Sequence, residues 1–324
     1  MQAGRRYTRR DFFGIAASGC ACVACGGANA QTLRYDLKAV EIAPQSYAVY
    51  GAQEYFTFQN GGNIVNTAFF GVPDGVVVVD TGPSRRYGEA FQELIAATLP
   101  GRDVVRVFNT HHHPDHFFGN QVFDRGLIAA PQTVIDNIDV DGVAFADNLY
   151  RLVGDWMRGT EPVAPGLVID MDREDVGGRA LSYLRLAGHT SADFALRDDA
   201  TGVLYAGDLA FLDRAPTTPH ADLDIWRASL RTLLATDRDV LLPGHGPADP
   251  KNDAILQTLD YLDWLDGSLR DAVQKGLTMT EAMAVPIPDR FAALGVVRSE
   301  FERSVVHLFE RFEDELYESV PVAD

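Results

Sequence analysis

Apolar positions change period several times along the chain, and each change marks a predicted element. Val76-Val77-Val78-Val79 is a continuous apolar run, the pattern of a strand buried on both faces. Residues 47–50, 64–70, 104–108 and 127–130 read as further strands. Between them, Phe91, Leu94, Ile95 and Leu99 recur at helical spacing over 86–99 and are stopped by Pro100-Gly101. Helices are expected at 132–139 and 144–157, followed by a Gly/Pro loop at 159–166. The second half repeats the theme with strands at 181–186, 203–206 and 240–242. From Asp249 the pattern turns helical, with Ile255, Leu259, Leu262 and Leu265 on one stripe, a Pro-rich break at 286–288 and a last helix over 298–318. This helical extension, beginning near residue 250, is expected to pack over one edge of the core. Strands alternating with helices predict an α/β fold.

The first 30 residues break the pattern. Arg9-Arg10-Asp11-Phe12-Phe13, a small-residue apolar stretch from Gly14 to Ala24, and Ala28-Asn29-Ala30 read as a twin-arginine signal with an A-x-A cleavage site. The stretch is too short and too rich in Gly, Ala and Ser for a transmembrane helix, which needs about 20 strongly apolar residues. The expected location is therefore periplasmic, with residues 31–324 as the mature domain and no membrane-spanning segment in it. Cys20, Cys22 and Cys25 all lie in the signal, so cleavage after Ala30 leaves no disulfide framework and no thiolate ligand. A lipidated Cys20 or Cys25 is the weaker alternative.

Removing residues 1–30, which hold four Arg and one Asp, moves the formal charge from −18 to −21. Such an acidic chain is a poor partner for nucleic acid or an anionic membrane surface. With 46% hydrophobic residues it is long enough to bury a full core.

The candidate chemistry sits at strand ends, where open α/β sheets place their ligands. Thr110-His111-His112-His113-Pro114-Asp115-His116 follows the strand at 104–108. Alternate residues of an extended segment point the same way, so His111 and His113 can share one ion while His112 faces elsewhere. Pro114 favours a bend, past which Asp115 and His116 face a second ion. Imidazoles and a carboxylate at one chain reversal suit zinc, with iron or manganese as alternatives. Three later strands end in Gly188-His189-Thr190, Gly207-Asp208 and Pro243-Gly244-His245-Gly246, each adding one ligand type beside glycine. Asp80 closes the apolar run of 76–79 and is placed to hydrogen-bond the outer nitrogen of a ligand histidine. His112 is expected in a supporting or solvent-facing position, and His307 on a helix surface. His220, in the Pro/Thr loop 214–220, is a candidate for the pocket wall, as are Arg158 and Trp226. Selectivity is expected from loops near 52–63, 142–166 and 211–221.

The ordered series His111-x-His113-x-Asp115-His116, His189, Asp208, His245 resembles the metallo-β-lactamase superfamily over most of residues 40–250. The resemblance implies an αββα four-layer sandwich with C-terminal helices. It also implies that His111, His113 and His189 hold one Zn2+, that Asp115, His116 and His245 hold the other, and that Asp208 bridges them. Asn109-Thr110-His111, Asn60-Gly61-Gly62-Asn63, the segment 80–87 and the loop 214–220 further resemble the exported quinoprotein relay system zinc metallohydrolases. That likeness implies a partner in a quinoprotein dehydrogenase pathway.

Two metals sharing Asp208 would bring the pKa of a water toward about 7 and polarise a carbonyl. The expectation is a dinuclear zinc hydrolase acting on a small-molecule ester, thioester or amide, β-lactams included, with Asp115, Asp208 and Asp80 as the catalytic candidates. A mononuclear iron enzyme for sulfur or oxygen chemistry is one alternative, though it would leave His116 and His245 idle. A non-catalytic maturation or binding factor for a quinoprotein is the other.

Overall fold

The computed structural model describes residues 33–319. The expected twin-arginine signal, its expected cleavage site and the three cysteines lie outside the described residues. From Arg34 onward the described residues belong to one compact unit.

The chain begins with β1 (Val40–Ala43), β2 (Ser46–Val49), β3 (Thr67–Val72) and β4 (Gly75–Val79), an antiparallel meander. Helix α1 (Arg85–Thr98) then returns the chain to β5 (Val104–Phe108), parallel to β4. Ser84 caps α1 by accepting from Tyr87 N, and Tyr87, Phe91 and Ile95 form its buried stripe. A short helix α2 (Pro114–Phe117), β6 (Ile128–Ala130), α3 (Gln132–Val153) and β7 (Leu167–Val168) complete a seven-stranded sheet ordered β1 to β7. The second sheet comprises β8 (Arg173–Val176), β9 (Arg179–Leu186), β10 (Asp193–Asp198), β11 (Val203–Phe211) and, after α4 (Leu223–Ala235), β12 (Val240–His245). Its order is β12-β11-β10-β9-β8, with β11 and β12 parallel. Helices α5 (Asp253–Gln274), α6 (Met279–Met283) and α7 (Val297–Ser319) follow.

Alternation along the strands builds the layers. Phe70, Val77, Val79 and Phe108 face the second sheet and meet Phe194, Leu196 and Tyr205. Phe70 stacks on Tyr205 with ring centroids 5.4 Å apart. The opposite face of the first sheet carries Phe69, edge-on to Phe91 of α1 at 5.8 Å. The outer face of the second sheet, with Leu204, Leu209 and Leu241, is covered by Trp226 and Leu230 of α4, Ile255 and Leu262 of α5, and Phe301 and Val305 of α7. The result is helix, sheet, sheet, helix, the expected four layers.

Several local expectations are corrected. The helices expected at 132–139 and 144–157 are one helix, α3, followed by a 3-10 turn at Gly154–Met157. Gly142 does not break it. A Cβ there would come within 2.6 Å of Pro162 Cβ, so this glycine serves close approach rather than a turn. The C-terminal helices cover a sheet face rather than an edge, because β11 is apolar on both sides. Helix α4, capped by Asp222, and strands β7, β8 and β10 are additions to the sequence reading. Strand β3 starts at Thr67 rather than residue 64, because Asn66 is turned to the end of β12. Its backbone N–H donates to Gly244 O at 2.7 Å, and its Nδ2 donates to Pro243 O at 2.9 Å and Gly246 O at 2.6 Å. No helix among the described residues is long and apolar enough to cross a membrane.

Candidate metal centre

The C-terminal ends of β4, β5, β9, β11 and β12 meet at one rim of the sandwich. Beyond β5, His113 is extended (φ −70, ψ 148) and Pro114 starts α2 at its first position, so the chain turns sharply between His113 and Asp115. Asp80 fixes this turn from the end of β4. Its carboxylate accepts from Thr110 N and Thr110 Oγ1, each at 2.8 Å, and lies 2.8 Å from His116 Nδ1.

Two groups of buried donors result. His111, His113, His189 and Asp208 form one, and Asp115, His116 and His245 the other, with the donor atoms of each group within 4.8 Å of one another. In the first, His189 Nε2 lies 2.9 Å from His113 Nδ1 and 3.3 Å from Asp208 Oδ2, while His111 Nε2 is 3.9 Å from that oxygen. In the second, His245 Nε2 lies 3.5 Å from Asp115 Oδ2, and His116 Nε2 lies 3.8 Å from it. Asp208 spans the groups, with Oδ1 3.2 Å from His116 Nε2 and Oδ2 3.3 Å from His245 Nε2. The structure thus brings together all seven residues singled out at the strand ends.

Two glycines make room for this arrangement. A Cβ on Gly244 would sit 1.9 Å from Asp208 Oδ1. Gly188, at φ +124, lets the His189 turn lie against the backbone of α4, where a Cβ would approach Trp226 N to 2.3 Å.

The hydrogen bonds of the ring nitrogens are divided in a telling way. Outer nitrogens are tied: His116 Nδ1 to Asp80, His245 Nδ1 to Ile64 O at 2.7 Å, His111 Nδ1 to Thr110 Oγ1 at 3.1 Å, and His113 Nε2 to His220 Nδ1 at 2.8 Å. Of the inward atoms, His113 Nδ1 and His189 Nε2 face each other at 2.9 Å, and three others have no such partner. His111 Nε2, His116 Nε2 and Asp208 Oδ1 are buried without a hydrogen-bond partner among the described residues, as is His189 Nδ1 on the far side of its ring. A buried polar atom left unpaired costs about 1–3 kcal/mol, and a cation between the inward atoms would offset that cost. Donor separations of this size suit atoms sharing an ion at about 2.0–2.2 Å from each. The residues present therefore fit one or more divalent ions.

Three of the imidazoles are held in the form that ligates a metal, whereas His116 would have to give up a proton to a bound ion. Burial, together with neighbouring imidazoles, holds His111 and His113 well below the usual imidazole range, and burial pushes His189 down to about 3. All three are neutral and able to offer a lone pair. Burial opposes charge on His116, but the carboxylates of Asp208, Asp80 and Asp115 outweigh it and hold the ring well above its ordinary value. Burial likewise opposes ionisation of Asp208, and His245 and His116 outweigh it, keeping the carboxyl well below its ordinary range.

The remaining histidines separate clearly. His112 is 3% exposed, with Nε2 3.6 Å from Asp141 Oδ2. His307 is exposed on α7. His220 lines the pocket beside the donors and holds the outer nitrogen of His113. That pocket is walled by Tyr55 and Phe56 from the loop after β2, Phe145 and Asn148 from α3, Arg214 and Thr217 from the loop after β11, and Glu300 and Arg303 from α7. Arg158 is not on it, being paired with Asp155 at the surface at 2.8 Å. Trp226 is fully buried, donating Nε1 to Leu209 O at 2.9 Å, with its ring edge-on behind His189 at 4.9 Å.

Sequence reasoning missed Asn66 and Asp193 as well as the α7 residues. Asp193 accepts from His189 N and Thr190 N, both at 3.0 Å, and so sets the His189 turn. Asp193 lies four residues past His189, and Ser/Thr-x-x-Asp spacing around a turn could have found it.

Comparison with known proteins agrees with this geometry. The family model described as "Metallo-beta-lactamase superfamily" matches residues 60–245. A linear primary-alkylsulfatase of a Pseudomonas species is 23% identical over 287 residues, covering 72% of this chain and 52% of that protein. A human acyl-coenzyme A thioesterase is 24% identical over 220 residues, covering 58% of this chain and 75% of that protein. Among solved structures, the stereoselective inverting sec-alkylsulfatase Pisa1 from Pseudomonas sp. superposes with a TM-score of 0.65 at 19% identity. The superposition covers 89% of this chain and 52% of Pisa1. The chain therefore spans about half the length of the alkylsulfatases it matches.

Proposed function

Because the chain belongs to the metallo-beta-lactamase superfamily, we propose that it is a dinuclear zinc hydrolase of small acyl esters or thioesters. The observation carrying this reading is the convergence of the buried donors of both groups, with the outer nitrogens of His116, His245 and His113 tied down and His111 Nε2, His116 Nε2 and Asp208 Oδ1 left without a partner among the described residues. His111, His113 and His189 would hold one ion, Asp115, His116 and His245 the other, with Asp208 shared. Two bound zinc ions would supply Lewis acidity for the scissile carbonyl and acidify a water to a pKa of about 7.

The chain's own residues do the rest. Asp115 lines the pocket and is the carboxylate placed to accept a proton from a group bound there. Asp80 has both oxygens committed to Thr110 and His116, so it fixes the His116 tautomer and does not reach substrate. Phe56, Ile64 and Phe145 give the pocket apolar walls that exclude water around an acyl chain.

A sulfate ester is the second reading, favoured by the alkylsulfatase match, which spans more of this chain than the thioesterase match does. Periplasmic location and a role beside a quinoprotein dehydrogenase are proposals supported by the twin-arginine motif and the loop resemblances. Elemental analysis and a panel of acyl ester, acyl thioester, lactam and alkyl sulfate substrates test the main reading. About two zinc per chain with thioester or ester turnover is the expected result. About one iron per chain without zinc would overturn it.

His220 gives a narrower test. Loss of a partner on the outer nitrogen of a ligand histidine costs about 10–100-fold in metal affinity. His220→Ala is therefore expected to weaken zinc binding by that amount in competition with a chromophoric chelator, while His307→Ala leaves it unchanged. Equal affinities would show that His113 needs no partner.

A further inference from the structure

The pocket beside the donors is closed on one side by α7, which lies beyond the residues matched by the family model. Glu300 and Arg303 stand one turn apart on that helix and both line the pocket, as do Arg214 and Thr217. Their charges do not cancel. Glu300 is fully buried, accepts from Thr217 Oγ1 at 2.7 Å, and takes a longer bond of 3.4 Å from Arg214 Nη2 at the same oxygen. Arg214 is 2% exposed, so these two buried charges offset one another. Arg303 is left over. Its nearest carboxylate oxygen is Glu300 Oε2 at 3.8 Å, on a group that Arg214 already compensates, and its side chain is 39% exposed.

The other pocket carboxylates among the described residues, Asp115 and Asp208, are turned to His116 and His245. A surplus guanidinium therefore faces the pocket of a chain with formal charge −18. The same pocket also has apolar lining from Phe56, Ile64 and Phe145. The guanidinium fork binds a planar carboxylate through two parallel N–H donors, and the apolar lining suits a short methylene chain.

We propose that Arg303 is a specificity-determining residue that binds a carboxylate at the far end of the acyl chain, making half-thioesters or half-esters of dicarboxylic acids the preferred substrates. The proposal rests on the hydrolase reading for its reaction, though its recognition step is measurable without turnover.

The test compares succinyl and butyryl thioesters of N-acetylcysteamine, which differ by a carboxylate in place of a methyl, on the full zinc-loaded protein. Wild type is expected to favour the succinyl thioester in kcat/KM by about 10–100-fold, the scale of one charge-assisted hydrogen-bonded contact. The preference should lie in KM, vanish in Arg303→Gln and persist in part in Arg303→Lys. Equal kcat/KM for the two thioesters in wild type, or an unchanged preference in Arg303→Gln, would overturn the proposal. Calorimetry with succinate and butyrate on the same proteins separates the two readings. If neither thioester turns over, thioester hydrolysis fails, yet tighter binding of succinate that Arg303→Gln abolishes still supports the carboxylate site. Equal binding of both acids overturns the site whatever the turnover.

Discussion

Replacing Asp208 with Asn is expected to lower turnover about a thousandfold or more, the effect of losing several kcal/mol of charge stabilisation in the reacting complex. Asp208 reaches both donor groups, with Oδ2 3.3 Å from His189 and His245 and Oδ1 3.2 Å from His116. Asn keeps the shape, so the gap left by Gly244 remains filled and the fold is retained. What changes is that one oxygen becomes an NH2, a donor with no lone pair to offer a cation. On the proposed dinuclear reading, metal content should fall from about two ions per chain toward about one, read by elemental analysis beside kcat/KM and near-ultraviolet circular dichroism. Full turnover in a folded Asp208→Asn protein would show that the two groups do not work through a shared carboxylate. Chelation of the wild-type protein should reproduce the activity loss and lower Tm, since an ion bound by the folded state alone stabilises by mass action.

The donor residues were legible in the sequence because each lies in or soon after a strand. His111, His113, Asp115 and His116 come soon after β5, while His189 follows β9, Asp208 lies within β11, which runs on past the expected end at residue 206, and His245 closes β12, each of these three beside a glycine. Local pattern sufficed there. It also sufficed for the buried run of β4, while the four-layer sandwich came from the family resemblance.

The illegible parts are those whose meaning comes from distant chain. Asn66 reads as one more residue of a strand, yet its side chain holds Pro243 and Gly246, nearly two hundred positions away. Gly142 falls between the two helices expected at 132–139 and 144–157, and only the packing of Pro162 reveals its use. Glu300 and Arg303 read as ordinary polar positions of an amphipathic helix, because nothing in the spacing of α7 tells which of its polar residues meets the pocket. The apolar stripe around Phe301, Val305 and Phe309 was visible, but its destination, the covered face of the second sheet, was not.

The same helix carries the second large expected effect. Arg214→Met should destabilise the protein by about 3–5 kcal/mol, the usual result of removing one partner from a buried ion pair. Glu300 is fully buried, and its Oε2 has no hydrogen-bond partner among the described residues. Without Arg214 it would keep Thr217 and the distant Arg303, too little to offset a charge withdrawn from water. Arg214 also donates to Glu54 O and Ala215 O, so its loss loosens the loop after β2 and the loop after β11 where they meet α7. A fall in Tm of about 5–15 °C is expected for a chain of this size. Arg214→Met/Glu300→Met removes both charges and should recover most of the loss, because a buried pair replaced by apolar groups of similar volume is often neutral. If the single variant melted within about 2 °C of wild type, the Arg214 charge would not be what holds Glu300 in place. Thr217 and the apolar stripe of α7 would then have to anchor the helix against the pocket by themselves.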